Sequence, residues 1–485
     1  MSIESKAISA FKWATGAKFV LQIASWAATL VVVRLLTPED YGLMAKVAVV
    51  CAITGAVAEL GLEAAIVRSV DIARDELRKI YGVALLFGAG MTASVAAAAP
   101  LLAGLFREPR LTWPIAVASL QMLIAAASIV PSALATRDLS FRKLATIEMA
   151  AGMVSIAATL LLAVAGSGVW ALVVGTLLGA IARGSGLLVL GDRVWPTFSM
   201  RGIGEQLKFG MTVVGNRLSY FIIVQSDVLI GSAFLSTTQI GQYSVALQLA
   251  TMPLTKFMGT INQITLPAVA RQQSDPVRVR AAVLKAVGVI SLLAFPCLWG
   301  ISAVAPELVQ VLFGANWLDA IPALAILPLV MPLRMVCGVI YTTSLAMGNR
   351  QLDLSNTVIN LILLPTGFFV GSHWGLVGLC SSWLVSVPIA YLFTMPAVLR
   401  ILGIRPLAFI AEFGAPAAAG CVMYAAVAAA RLGFDGRPAI VTLPALILVG
   451  AVVYFAAMAL LSPRHLLSAR AFARALLGRD AAKSA

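Results

Sequence analysis

The sequence predicts an all-α, polytopic membrane protein with about 14 transmembrane helices, two six-helix lobes related by a parallel repeat plus two C-terminal helices. Three observations predict it. Of 485 residues, 60% are hydrophobic and only 12% charged, against roughly 25% charged in an ordinary soluble domain. The apolar residues come in runs of about 20, the length at which a helix rising about 1.5 Å per residue crosses a hydrocarbon core of about 30 Å. Lys and Arg collect in every second gap between those runs.

Taken in order, the first run is 13–36. Its lead-in, with Lys6 and Lys12, has the look of a signal peptide, but span follows span into the C-terminal region, so it reads as the cytoplasmic approach to a permanent helix. Further runs follow at 43–66, 80–104, 113–135, 144–165, 169–190, 208–234, 240–264, 283–303, 320–346, 354–371, 374–396, 407–430 and 438–461. Without water every amide and carbonyl must be paired inside the segment, and runs this long are not barrel strands, so each is a helix. Pro253, Pro296, Pro328, Pro332, Pro365 and Pro388 fall inside runs and open the helix ladder locally, as static kinks or as hinges. The expected organisation is an N-terminal lobe 1–207, a C-terminal lobe 208–400, two additional helices in 401–461 and a basic cytoplasmic tail 462–485. In that tail Leu466, Phe472 and Leu476 share a face while Arg470 and Arg474 take another, as in a helix lying on an anionic leaflet; a solvated tail is the alternative.

The charge alternation sets the orientation. About 26 of the 35 basic residues lie in one set of gaps, among them Arg68, Arg74, Arg78, Lys79, Arg137, Arg142, Lys143, Arg278, Arg280 and Arg405. The complementary gaps hold about five: Arg34, Arg107, Arg110, Arg431 and Arg437. An asymmetry of that size over short loops places both termini of this multi-pass chain in the cytoplasm, with an even number of spans. Trp113, Trp170, Trp317 and Trp374 fall at the expected outer edge, where indoles anchor at the headgroup level.

Other classes are excluded by what the chain carries. Its net charge of +14 is spent on orientation and not gathered on a wettable face with aromatics, so no nucleic-acid partner follows. His373 and His465 lie far apart, and Cys51, Cys297, Cys337, Cys380 and Cys421 each stand alone in apolar surroundings, so no metal site or disulfide framework is expected. There is no Gly-rich phosphate loop and no carboxylate cluster for metal-assisted glycosyl transfer, so the chain reads as no enzyme and calls for no cofactor.

A shift of about 200 residues brings three segments into register. LLTPEDYG (Leu35 to Gly42) aligns with FLSTTQIG (Phe234 to Gly241), LFREPRLTWP (Leu105 to Pro114) with LFGANWLDAIP (Leu312 to Pro322), and GSGVWALVVG (Gly166 to Gly175) with GSHWGLVG (Gly371 to Gly378). An even number of spans per copy gives the copies the same orientation, the arrangement of alternating-access transporters.

These runs, with PSALATRDLSF (Pro131 to Phe141), QSDVLIG (Gln225 to Gly231), IGQYSVALQL (Ile240 to Leu249) and TLPAVARQQSD (Thr265 to Asp275), resemble the Wzx-type polysaccharide flippases. That family belongs to the superfamily of MATE multidrug extruders and lipid II flippases. The resemblance covers roughly residues 5–400 and implies two six-helix lobes, two trailing helices, and transfer of an undecaprenyl-diphosphate-linked oligosaccharide between leaflets. It also implies membrane lipids, a polysaccharide polymerase and assembly proteins as partners.

Ionisable residues inside spans cost about 2.5–3.5 kcal/mol on insertion scales and usually face a bundle interior or a wet cavity. Here they are Lys46, Glu59, Glu63, Arg217, Asp227, Lys256, Arg334 and Glu412. A lipid diphosphate calls for cations and for amide or hydroxyl donors, which nominates Arg217, Lys256, Arg334 and Lys46, with Asn216, Asn262 and Gln263 beside them. Lys46 and Arg334 could instead snorkel, and Asp227 could serve a structural ion pair, with Lys256 as its candidate partner. Arg217 and Asp227, about 15 Å apart along a helix, each need a partner elsewhere. Glu59 and Glu63, at i and i+4, should stack on one face and repel unless a proton or cation intervenes; with Asp227 they are the ion-coupling candidates. The competing readings are an ion-coupled multidrug extruder of the same fold and a non-transporting scaffold for glycan-assembly enzymes.

Overall fold

The computed structural model describes residues 25–69, 72–138, 140–190, 194–199, 201–252, 276–347 and 350–465. Lys256, Asn262, Gln263 and Pro253, and the tail from Leu466 onward, lie outside the described residues. Within them the regular structure is helical: α1 (25–35), α2 (Pro38–Ala58), α3 (Leu62–Arg68), α4 (Arg74–Leu105), α5 (Thr112–Ala118), α6 (Leu120–Arg137), α7 (Phe141–Val164), α8 (Val169–Leu190), α9 (Gly204–Phe234) and α10 (237–252). Then come α11 (Pro276–Ala303), α12 (Ala305–Leu308), α13 (Ile321–Ala346), α14 (Arg350–Ser372), α15 (Gly375–Ile401), α16 (Pro406–Leu432) and α17 (Ala439–Leu461). Among the described residues, 12 segments are long and apolar enough to span a membrane. The two expected runs that begin or end outside them, 13–36 and 240–264, are seen in part as α1 and α10.

The second run departs from expectation. Its helix begins at Pro38, not near residue 43, because Thr37 and Asp40 close a reciprocal capping box and Pro38 occupies the first turn. The same run then breaks. Leu60 and Gly61 both take left-handed backbone angles (φ 47° and 59°), and α3 restarts at Leu62. A left-handed non-glycine residue costs about 1–2 kcal/mol, so this break must be held by its surroundings.

Two of the three repeat segments share local structure with their partners. Ser236 and Gln239 make the same reciprocal cap as Thr37 and Asp40: the Ser236 N–H donates to Gln239 Oε1 (3.0 Å) and the Gln239 N–H to Ser236 Oγ (3.2 Å). Likewise Phe106 and Phe313 are buried, and each is followed by a left-handed residue, Arg107 (φ 51°) or Gly314 (φ 93°), and a 3-10 turn. This fold-back also corrects one anchor. Trp317, expected at the headgroup level, is fully buried, edge-on to Phe313 at 5.9 Å, because the turn tucks its indole inward; Trp113 and Trp374 are 72% and 71% exposed.

The chain forms two compact units, Met1–Gly241 and Gln242–Ala485. In the first, α7 packs on α8, α4 on α6 and α2 on α9. One apolar cluster gathers Leu43, Val47, Phe106, Ile115 and Val173, and a second Leu62, Ile66, Ile80, Tyr81 and Val130. In the second unit α11 packs on α13 and α16, α13 and α14 on α15, and α16 on α17. Lipid tails are as apolar as Leu, so association rests on close packing and on polar ties. Tyr454 donates its hydroxyl to the Leu292 carbonyl (3.1 Å), and Arg431 pairs with Glu307 (2.7 Å), tying α16 and α17 to α11 and α12.

Candidate functional site

Three of the intramembrane charges converge on one seam. α2 and α9 run antiparallel, with Gly42 against Thr237, the first residue of α10, at one end and Glu59 against Arg217, then Gly61 against Gly210, toward the other. The glycines permit the approach. A methyl group on Gly42 would run into the Thr237 carbonyl, and one on Gly241 into the Pro38 carbonyl. Pro38 and Thr237 are repeat equivalents, as are Gly42 and Gly241, so the two helix starts grip each other reciprocally.

Lys46 closes this first end. It is 2% exposed and donates to Thr237 Oγ1 (2.9 Å); the Thr237 hydroxyl donates onward to Glu108 Oε2 (3.0 Å). Arg110 clamps Glu108 with two bonds (2.8 and 3.1 Å) and reaches Glu39 at 2.5 Å. Hydrogen bonds from Arg110, then from Thr237, hold the Glu108 carboxyl below the usual carboxylate range against the opposing effect of burial. Lys46 therefore does not snorkel: its ammonium is enclosed and engaged.

The Arg217 end is open. Arg217 pairs with Glu59, the residue at which α2 ends, and the two side chains are 40% and 35% exposed. Asn216 and Tyr220 beside it are exposed. The stacking expected for Glu59 and Glu63 does not form, because the left-handed break at Leu60 and Gly61 separates them. Glu63 instead accepts from the Ser132 hydroxyl at 2.8 Å. Asp227, ten residues along α9 from Arg217, is 1% exposed and accepts from the Val228 N–H at 2.7 Å.

Arg334 sits in α13 of the second unit. Its guanidinium lies 4.6 Å from the Trp383 ring centre, with Met331 Sδ at 3.7 Å and the Tyr391 hydroxyl within hydrogen-bonding reach. Trp383 is fixed in turn by donating to the Tyr243 hydroxyl (2.7 Å). Stacking on an aromatic face suits a guanidinium better than an ammonium, so this cation is oriented rather than snorkelling. Thr237, Glu108 and Trp383 escaped the sequence reading. Thr237 stood in the repeat segment, but nothing in its spacing signalled Lys46.

A model of the family described as "Polysaccharide biosynthesis protein" matches residues 31–322, more than half the chain. The chain belongs to this family. The resemblance to Wzx-type flippases read from the sequence is thereby shown: it is a multi-pass membrane protein of polysaccharide biosynthesis and not an enzyme. The chain is 24% identical over 395 residues to the lipopolysaccharide biosynthesis protein WzxC of Escherichia coli (strain K12), covering 79% of each chain. It is 26% identical over 301 residues to the succinoglycan biosynthesis transport protein ExoT of Rhizobium meliloti (strain 1021), covering 62% of this chain and 61% of ExoT. Among solved structures, the lipid II flippase MurJ in an inward closed conformation superposes with a TM-score of 0.77 at 14% identity, covering 96% of this chain and 99% of MurJ. An inward-facing MATE transporter gives 0.62 at 16% identity, covering 79% and 95%. Identities this low show the shared fold alone.

Proposed function

We propose that this polysaccharide biosynthesis protein moves an undecaprenyl-diphosphate-linked oligosaccharide repeat unit from the cytoplasmic to the outer leaflet of a bacterial inner membrane by alternating access. The names of WzxC and ExoT, proteins of lipopolysaccharide and succinoglycan biosynthesis, support the cargo class. The observation that carries the reading is Arg217: an intramembrane guanidinium, 40% exposed, whose partner Glu59 stands at a strained helix end. A buried cation kept for structure alone would be enclosed, as Lys46 is. Arg217 is instead held ready by a carboxylate that a diphosphate can displace, and a planar guanidinium suits phosphate in a bidentate grip. Glu59, released, becomes a carboxylate able to take a proton, which links cargo entry to an ion gradient.

Arg334, backed by aromatics, is the second diphosphate or sugar contact, with Asn216, and with Lys256, Asn262 and Gln263 of the eighth run; Glu63 and Asp227 share the ion-coupling role. On this reading the chain has about 14 spans, copies of six in 1–207 and 208–400 followed by two, and both termini cytoplasmic. The test is leaflet transfer of a lipid-linked oligosaccharide in proteoliposomes. Wild-type protein is expected to transfer it, and Arg217→Ala to lose about 100-fold of the rate, equivalent to about 2.7 kcal/mol, at unchanged protein content. No transfer by folded wild-type protein overturns the proposal.

A further inference from the structure

A polar hollow lies at the start of α4. It has a volume of about 310 Å³ and is lined by Arg74, Asp75, Arg78 and Trp195. Arg74 and Arg78, four apart at the start of α4, stand on one helix face, and both are exposed. Asp75, which pairs with Lys79 at 2.7 Å, is the acid of that lining, so the lining itself carries two guanidinia against one carboxylate.

The opposite wall is tied to the same helix. The strand-like segment 194–199 is strapped to α4: the Thr197 N–H donates to the Arg78 carbonyl (2.8 Å), and Arg78 Nε donates to the Trp195 carbonyl (3.2 Å). Gly82 lets the strap lie flat, since a side chain there would meet the Thr197 carbonyl. The strap leaves the Trp195 indole 74% exposed at the end of a membrane-spanning helix, the level at which indoles meet lipid headgroups. Arg78 uses its Nε on the strap while its side chain lines the hollow.

We propose that this hollow is a binding site for the phosphate of an anionic phospholipid headgroup, with Arg74 and Arg78 on the phosphate and Trp195 beside the glycerol and upper acyl chain. The charge comes from side chains and the shape from the strap. Two guanidinia one turn apart match a phosphate diester, and an exposed indole beside them selects a phosphate carried by a lipid over one free in water.

Brominated lipids read this directly. The full-length protein is placed in phosphatidylcholine vesicles containing an equal fraction of either brominated phosphatidylglycerol or brominated phosphatidylcholine, and fluorescence quenching is measured. Because the chain has nine tryptophans, the Trp195 signal is taken as the difference between wild type and Trp195→Phe. Brominated phosphatidylglycerol is expected to be enriched at Trp195 by about fivefold, and Arg74→Gln/Arg78→Gln to bring that ratio back to about one. Arg74→Gln alone, which leaves the strap intact, should lower it to an intermediate value. Equal quenching by the two lipids in wild type, or a preference that survives the double variant, overturns the proposal. No phosphatidylglycerol preference together with a change in Trp195 emission on adding millimolar inorganic phosphate also overturns it, since the hollow would then be a site for free phosphate. The measurement involves no transport and is independent of the flippase reading.

Discussion

The two ends of the α2 and α9 seam hold the same kinds of residue in opposite states. At one, Lys46 is 2% exposed and wired through Thr237 to Glu108 and Arg110; at the other, Arg217 is 40% exposed and shares a single carboxylate contact with Glu59 at a helix break. Both cations are expensive to place in a membrane. The difference teaches that two cations of one membrane segment pair can be held in opposite ways, one enclosed by hydrogen bonds and the other exposed beside one carboxylate, and on the proposed function it is the exposed one that meets cargo.

The comparison breaks most visibly through backbone contact. Gly241→Val drives a branched side chain into the Pro38 carbonyl, and overpacking where only backbone can yield is expected to cost about 3 kcal/mol or more, read as loss of monodisperse protein on size-exclusion chromatography. At the open end the effect moves from stability to transport. Glu59→Gln removes the competing charge, so lipid diphosphate should bind about 10-fold more tightly, a gain of about 1.4 kcal/mol, and leave more slowly, with the melting temperature unchanged. Equal affinity in titrations of both proteins would remove Glu59 from the role of displaceable partner.

At the closed end, Thr237→Val deletes the hydroxyl between Lys46 and Glu108 and should lower stability by about 1–2 kcal/mol, seen as a lower melting temperature while cargo affinity stays as in wild type. The smallest effect is pH dependence. Glu108 has a folded pKa depressed below its unfolded value, so its contribution is fully present above about pH 4.3, the unfolded value, and fades as pH falls through the lower folded one. The gap in melting temperature between wild type and Glu108→Gln should therefore be constant near neutrality and narrow only in acid.

Much of the fold was legible because the signals are local. Hydropathy located the spans to within several residues, as in α8 (Val169–Leu190) and α17 (Ala439–Leu461), and the repeat foresaw that Thr37 and Ser236 would stand in like places. The second run misled because hydropathy averages over Glu59, Leu60 and Gly61, whereas a helix break is a matter of two backbone angles. Trp317 misled for a related reason: its sequence position is at a span edge, but a 3-10 turn folds it back into the packing.

The candidate site divides in the same way. Composition and spacing were enough to name Lys46, Glu59, Glu63, Arg217, Asp227 and Arg334 as costly residues, since burying charge in hydrocarbon is penalised wherever it occurs. Their partners were not legible. Arg217 meets Glu59 across 158 residues and Lys46 meets Thr237 across 191, and no local pattern records such pairings. The sequence by itself determined that this is a polytopic helical membrane protein, because a backbone in lipid must satisfy its hydrogen bonds within each segment, and that demand is written in every run of about 20 residues. Only the tertiary structure decided which charges are enclosed and which are left exposed, because that depends on how closely two glycine-bearing helices approach and on what their approach leaves uncovered.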